Sequence, residues 1–192
     1  MRNTLYTLFF WGAVAAGTAL AQTGPSRLAR QEVDLALGYN AQRSNGTADT
    51  SFWQHGGFLE LSTEAYRGFG VAMVISGGHM NHLNGSGADL NTVTTAFGPR
   101  YTFRHKKVAV FGEGLIGESH GFDGVFPSTN GALSAYDSFA LQVGGGVDLQ
   151  LSPHLALRPF QASWLRTEFP NATTNIQDNL QLGAGIVFRL QR

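Results

Sequence analysis

Cysteine is absent from all 192 residues, which removes disulfide staples and thiolate metal sites together. Charge is scarce as well: Lys, Arg, Asp and Glu make up 14% of the chain, against roughly a quarter in ordinary soluble domains. Thirteen basic and thirteen acidic side chains cancel formally, so the basic field that holds nucleic acid is missing. Past the first twenty or so positions, no stretch stays apolar for the roughly 18 residues that a spanning helix needs. What remains is a chain rich in glycine, with 25, and built from short segments in which apolar and polar residues take turns.

The N-terminus has its own logic. Arg2 supplies a positive start, an apolar run follows from Leu5 to Gly17, and Ala19-Leu20-Ala21 puts small residues where a signal peptidase reads. We expect a cleaved secretory signal peptide over residues 1–21, a short periplasmic lead over 22–30 and a single domain over 31–192. Loss of Arg2 leaves 12 basic and 13 acidic side chains.

The most regular segment runs from Phe139 to Leu151. Phe139, Leu141, Val143, Val147, Leu149 and Leu151 fall on one face, and Ala140, Gln142, Gly144, Gly146, Asp148 and Gln150 on the other. Period two marks a β-strand with one apolar and one polar side, and its length suits a tilted strand crossing a bilayer. Ser152-Pro153-His154 then makes a tight turn, and the alternation restarts at Leu155.

The same pattern predicts strands over residues 32–39, 57–66, 70–77, 90–104, 108–119, 139–151, 155–167 and 179–190. Pro159 signals a bulge in the seventh, and the third has no readable register. The connections alternate: long loops over 41–54, 78–89, 120–135 and 168–178, and short turns at Arg67-Gly68-Phe69, His105-Lys106-Lys107 and Ser152-Pro153-His154. In an up-and-down sheet successive connections lie at opposite ends, so all long loops share one end and all short turns the other. That asymmetry, with closure of the sheet to leave no edge, is the design of an outer-membrane barrel. The expected fold is therefore all-β: an eight-stranded antiparallel up-and-down transmembrane β-barrel. Tyr39, Trp53, Tyr66, Tyr101, Phe103, Tyr136 and Trp164 stand near strand ends, as interfacial girdles require.

The last strand carries Gln181-Leu182-Gly183-Ala184-Gly185-Ile186-Val187-Phe188. Here Gln181, Gly183, Ile186 and Phe188 match a polar-x-Gly-x-x-apolar-x-aromatic pattern. The chain resembles the OmpA-like eight-stranded outer-membrane barrels over its whole expected mature length, in the barrel alone and without a peptidoglycan-binding domain. The resemblance implies residence in a Gram-negative-type outer membrane among its lipid and lipopolysaccharide. It also implies that those four residues form the signal read by the barrel-assembly machinery, and a monomer is expected.

The inward face is where any chemistry would sit. Strand parity points the acids Glu32, Asp34, Glu60, Glu64, Glu113 and Asp148 into the lumen, with the bases Arg100, Arg104, Arg158 and Arg189, mostly in the periplasmic half. An eight-stranded barrel has a lumen that side chains can fill, and confined charges of mixed sign pair because isolated ones are costly. We expect a charge network that closes the lumen; the alternative is a low-conductance, porin-like pore.

Other motifs point to no second chemistry. Gly112-Glu113-Gly114-Leu115-Ile116-Gly117 matches G-x-G-x-x-G, but inside a strand, where no helix N-terminus could take a phosphate. Gly144-Gly145-Gly146 more simply makes room inside the barrel. His55, His79, His82 and His120 lack accompanying cysteines or a tight carboxylate, so neither metal nor cofactor is expected. A lipid-modifying enzyme would need Ser, His and a carboxylate together. Glu118-Ser119-His120 is the nearest candidate, but neighbours on a strand point apart. A soluble ligand-binding barrel would turn the apolar face inward and has no need of the alternating connections.

Overall fold

The computed structural model describes residues 32–45, 51–81, 89–128, 131–170 and 175–191; the expected signal peptide and periplasmic lead lie outside them. Eight strands follow one another: β1 (Glu32–Asn45), β2 (Ser51–Tyr66), β3 (Phe69–Met80), β4 (Leu90–His105), β5 (Val108–Ser128), β6 (Gly131–Ser152), β7 (Leu155–Thr167) and β8 (Gln177–Gln191). Each pairs antiparallel with the next, and β8 returns to pair with β1, closing the barrel. The three short turns stand where the sequence placed them. In the β2–β3 turn Arg67 and Gly68 both adopt left-handed φ values, of 47° and 89°. A Cβ on Gly68 would lie 2.5 Å from the Thr102 carbonyl oxygen, so the tight turn against β4 requires glycine.

Alternation becomes two environments. On β6, Phe139 and Val143 are exposed and Leu141 half-buried, while Ala140, Gln142 and Asp148 are buried. The outer wall carries Leu59, Met73, Phe97, Ile116, Phe160 and Ile186, all exposed, as suits side chains meant for lipid rather than for a core. The expected girdle holds for Tyr39, Trp53, Tyr66, Tyr101, Phe103 and Trp164, which are exposed on the outside. Tyr136 differs: it turns inward and packs against Phe126 with ring centroids 6.2 Å apart.

The strands are longer than alternation predicts. Residues 41–54 read as a loop, yet the β1–β2 ladder continues through Arg43↔Trp53 to Asn45↔Ser51. Likewise 120–135 read as a loop, yet β5 and β6 stay paired out to Ser128↔Gly131. Both faces of a ribbon beyond the bilayer can meet water, so the apolar period disappears there while the backbone ladder persists. The register of β3 is now fixed, with His79 opposite His55 and Ile75 opposite Leu59. The bulge signalled by Pro159 is present: the β7–β8 ladder shifts between Arg158 and Gln161.

Candidate functional site

The lumen is stratified. The half toward the short turns is ionic, and Arg158 on β7 is its centre, with 0% of the residue exposed. Its Nε and Nη2 donate to the two oxygens of Asp148 at 2.7 and 3.2 Å. Nη1 and Nη2 donate to the two oxygens of Glu60 at 2.9 and 3.0 Å, and Nη1 reaches Gln161 Oε1 at 3.0 Å. Five bonds match the five donors of a guanidinium, and both carboxylates are gripped in the bidentate geometry that arginine favours. Arg100 on β4 approaches from the other side. It bonds Glu60, lies 3.4 Å from Glu113 Oε2 and 3.9 Å from Asp148 Oδ2.

Both guanidiniums rest on the ring of Phe111, their central carbons 3.6 and 4.3 Å from its centroid. A desolvated ring face under two cations adds attraction and spacing at once. Phe111 shares the inward parity of Glu113, but nothing in an aromatic on a strand distinguishes a cation platform from a packing residue. Its partner is glycine: a Cβ on Gly146 would fall 2.8 Å from the Phe111 ring, so Gly146 clears the space the ring occupies, while Cβ atoms on Gly144 and Gly145 would instead meet Ser163 and the Phe111 carbonyl oxygen.

A second tier lies nearer the opening at the short turns. Arg104 reaches Glu64 at 3.2 Å and Asp34 at 3.4 Å, and Asp34 faces Arg189 at 4.0 Å. Arg104 and Glu64 are more than a quarter exposed, whereas Arg100, Arg158 and their acids are buried. Of the ten charged residues assigned to the lumen, nine thus stand together; the Glu32 side chain lies outside the described residues.

Higher up the charges give way to neutral polar groups. Ser163, Gln181, Gln42, Ser44, Gln54 and Thr92 form one hydrogen-bonded chain across the barrel, with steps of 2.8 to 3.2 Å. Gln181, read as part of the terminal signal, belongs to this chain, while Ile186 and Phe188 face outward. A Cβ on Gly183 would meet the Gln161 side chain at 3.0 Å. Gln142 sits between its cross-strand neighbours Leu115 and Leu165, both buried. At the outer mouth Phe52, Leu90, Phe126 and Phe169 form a buried apolar cluster, with Met80 and Tyr136 against it. The aromatic members from β2 and β5 fall in segments that read as loops, so alternation gave no signal for them.

The other motifs are scattered. Ser119 points inward to Thr94 at 2.9 Å, while His120 points outward and bonds Asp137; the Glu118-Ser119-His120 run assembles no triad. His55 bonds Tyr39 on the outer wall, and His79 lies between Asn91 and Asn81 at 2.7 and 2.9 Å. Among the described residues no group of three or more His, Cys, Asp or Glu is placed to hold a metal; His82 lies outside them. The G-x-G-x-x-G run lies within β5, with Glu113 in the ionic tier.

No protein-family model matches the chain, and no curated protein sequence matches it. Solved structures do. Neisserial surface protein A superposes with a TM-score of 0.65 at 11% identity, covering 82% of this chain and 97% of that one. The attachment invasion locus protein Ail of Yersinia pestis, in complex with the heparin analogue sucrose octasulfate, gives 0.59 at 17% identity, covering 84% and 100%. The outer membrane protein OprG of Pseudomonas aeruginosa gives 0.57 at 12%, covering 85% and 97%. Closed ring, strand count and antiparallel order agree with these, and the chain has the fold of the OmpA-like eight-stranded outer-membrane β-barrels.

Proposed function

We propose that this chain is an outer-membrane barrel whose role is structural or interactive at the cell surface, and that its lumen does not conduct. The observation that carries this reading is Arg158, wholly buried and bonded through every donor to Glu60, Asp148 and Gln161. A guanidinium satisfied in this way is held in place within the lumen, and moving it aside would strand two carboxylates in a confined space. An ion would then still face the neutral chain and the aromatic cluster above.

Export by a cleaved signal peptide, assembly through the Gln181–Phe188 signal and residence among lipopolysaccharide complete the proposal. They are supported by the leader-like start, the terminal-strand pattern and the apolar outer wall. A non-enzymatic role is supported by the opposed directions of Ser119 and His120. The test is single-channel recording on refolded protein in planar bilayers, beside fractionation of the native cell envelope. A silent bilayer with the protein in the outer-membrane fraction is expected. Stable, high conductance would overturn the closed lumen and move the pore reading to first place.

A further inference from the structure

Outside the lumen the charges are sorted by end. Toward the long loops Glu118, Asp123, Asp137, Glu168 and Asp178 are exposed, with Arg43 and Arg166 among them. At the short turns the exposed lysines and arginines among the described residues are Arg67, Lys106 and Lys107, and the last two are the only lysines in the chain. Among the described residues no carboxylate forms an ion pair with any of the three. Glu64, nearby, accepts from the Gly68 amide at 2.9 Å and pairs with Arg104 at 3.2 Å.

The backbone holds these cations out. Arg67 and Lys106 stand at φ values of 47° and 54°, in the left-handed region that glycine or asparagine occupies at lower cost. Both turns are tied to the wall: the Thr102 amide donates to the Gly68 carbonyl at 2.8 Å, and the Gln150 amide to the Lys107 carbonyl at 2.7 Å. The paired strands β3 and β4 join the two turns, so the three cations share one arc of the rim. The β6–β7 turn, Ser152-Pro153-His154, brings no lysine or arginine to the rest of it. Beside the cations the outer wall is aromatic, with Tyr66, Phe69, Tyr101 and Phe103 all exposed. The Phe69 and Tyr101 rings lie 4.7 Å apart, and the Arg67 guanidinium carbon lies 5.0 Å from the Tyr66 ring centroid. Such rings settle at the level of lipid headgroups, and long cationic side chains beside them keep their charge in the polar layer.

We propose that the β2–β3 and β4–β5 turns form a binding surface for anionic phospholipid. Arg67, Lys106 and Lys107 hold the phosphate-bearing headgroups, and Tyr66, Phe69, Tyr101 and Phe103 lie along the upper acyl chains. The surface asks for negative charge and for an apolar chain next to it, and an anionic lipid supplies both. A soluble polyanion would leave four rings against water. A zwitterionic headgroup carries its own cation, which the three cations repel. Because the arc is one-sided, bound lipid gathers against β2 to β5 rather than around the whole barrel. The inference rests on the membrane residence proposed above and adds which lipid is held, and at which end.

The test places the refolded barrel in phosphatidylcholine nanodiscs in which a rising fraction of the lipid is phosphatidylglycerol, and reads the response by amide NMR. Saturable shifts are expected at residues 66–69 and 101–108, and none at residues 118–137. Each cation near a membrane surface is worth about fivefold in affinity for anionic lipid. Arg67→Gln, Lys106→Gln and Lys107→Gln together should therefore raise the half-saturating fraction about fivefold or more. Arg67→Lys should keep the original response, and its loss there would trace the effect to turn geometry and overturn the proposal. So would a linear drift without saturation, an equal response from the triple variant, or shifts centred on the long-loop end. Equal shifts from inorganic phosphate or from an acidic cell-wall glycopeptide, added to discs of phosphatidylcholine alone, would also overturn it, since a soluble anion would then suffice. A barrel that enters phosphatidylcholine discs but ignores phosphatidylglycerol fails this proposal alone; a chain that enters no disc fails the membrane reading with it.

Discussion

Arg158 concentrates the energetics of the lumen in one side chain. Removing one partner of a buried ion pair leaves the other uncompensated, and Arg158→Ala would do so to Glu60 and Asp148 together. The expected loss is about 3–5 kcal/mol, read as a lower urea midpoint for the refolded barrel in lipid vesicles. Glu113 has only a 3.4 Å contact with Arg100, in a network where five carboxylates face four guanidiniums. Glu113→Gln should therefore change stability by about 1 kcal/mol or less, and equal losses for the two variants would show that the load is not centred on Arg158. Parity alone placed every one of these charges on the inner face. It could not say who pairs with whom, because a partner 98 residues away, as Glu60 is from Arg158, leaves no mark in local pattern.

At the scale of the strand, the outer and inner faces of β6 make separate predictions. Val143 faces outward well above the turn, and Leu151 sits at the turn end, 62% exposed. Val143→Arg should cost about 2–4 kcal/mol and Leu151→Arg about 0–1, since the penalty falls toward the interface; matching costs in a reversible folding assay would mean this face does not lie at graded depth in lipid. On the inner face Gly146→Leu would drive atoms into the Phe111 ring and should cost about 1–3 kcal/mol by overpacking. Phe111→Ala in the same chain should recover part of that loss. Strand number, turn sites and the Pro159 bulge were legible because each depends on neighbours in sequence. The upper halves of β1, β2, β5 and β6 were not, because beyond the bilayer no alternation is required of them.

Across the whole molecule the layers act in series. Arg100→Ala with Arg104→Ala leaves five carboxylates facing Arg158 and Arg189 in the lower lumen, and water should enter from the periplasmic opening. Conductance should nonetheless stay low, because the Gln42–Gln181 chain and the Phe52, Leu90, Phe126 and Phe169 cluster still bar the way. Adding Phe126→Ala and Phe169→Ala should open a measurable state, and that state should prefer cations, since net negative charge lines it. Full conductance from the arginine changes alone would show that the upper layers do not seal.

The join between β1 and β8 carries side-chain links as well as a backbone ladder: Asp34 opposite Arg189, and Gln42 bonded to Gln181 across 139 residues of chain. Contacts of such sequence separation meet the largest loop-closure entropy and form late. The side-chain links thus become a record of completion: a barrel with seven ladders made and the eighth open has neither of them. Because the chain lacks cysteine, a pair introduced at Leu37 and Ile186, Cα partners across the join, would cross-link without competition. Cross-linking there should lag behind that of a pair at Val110 and Val147, which face each other across the β5–β6 ladder. The interval between the two would time the closing of the ring.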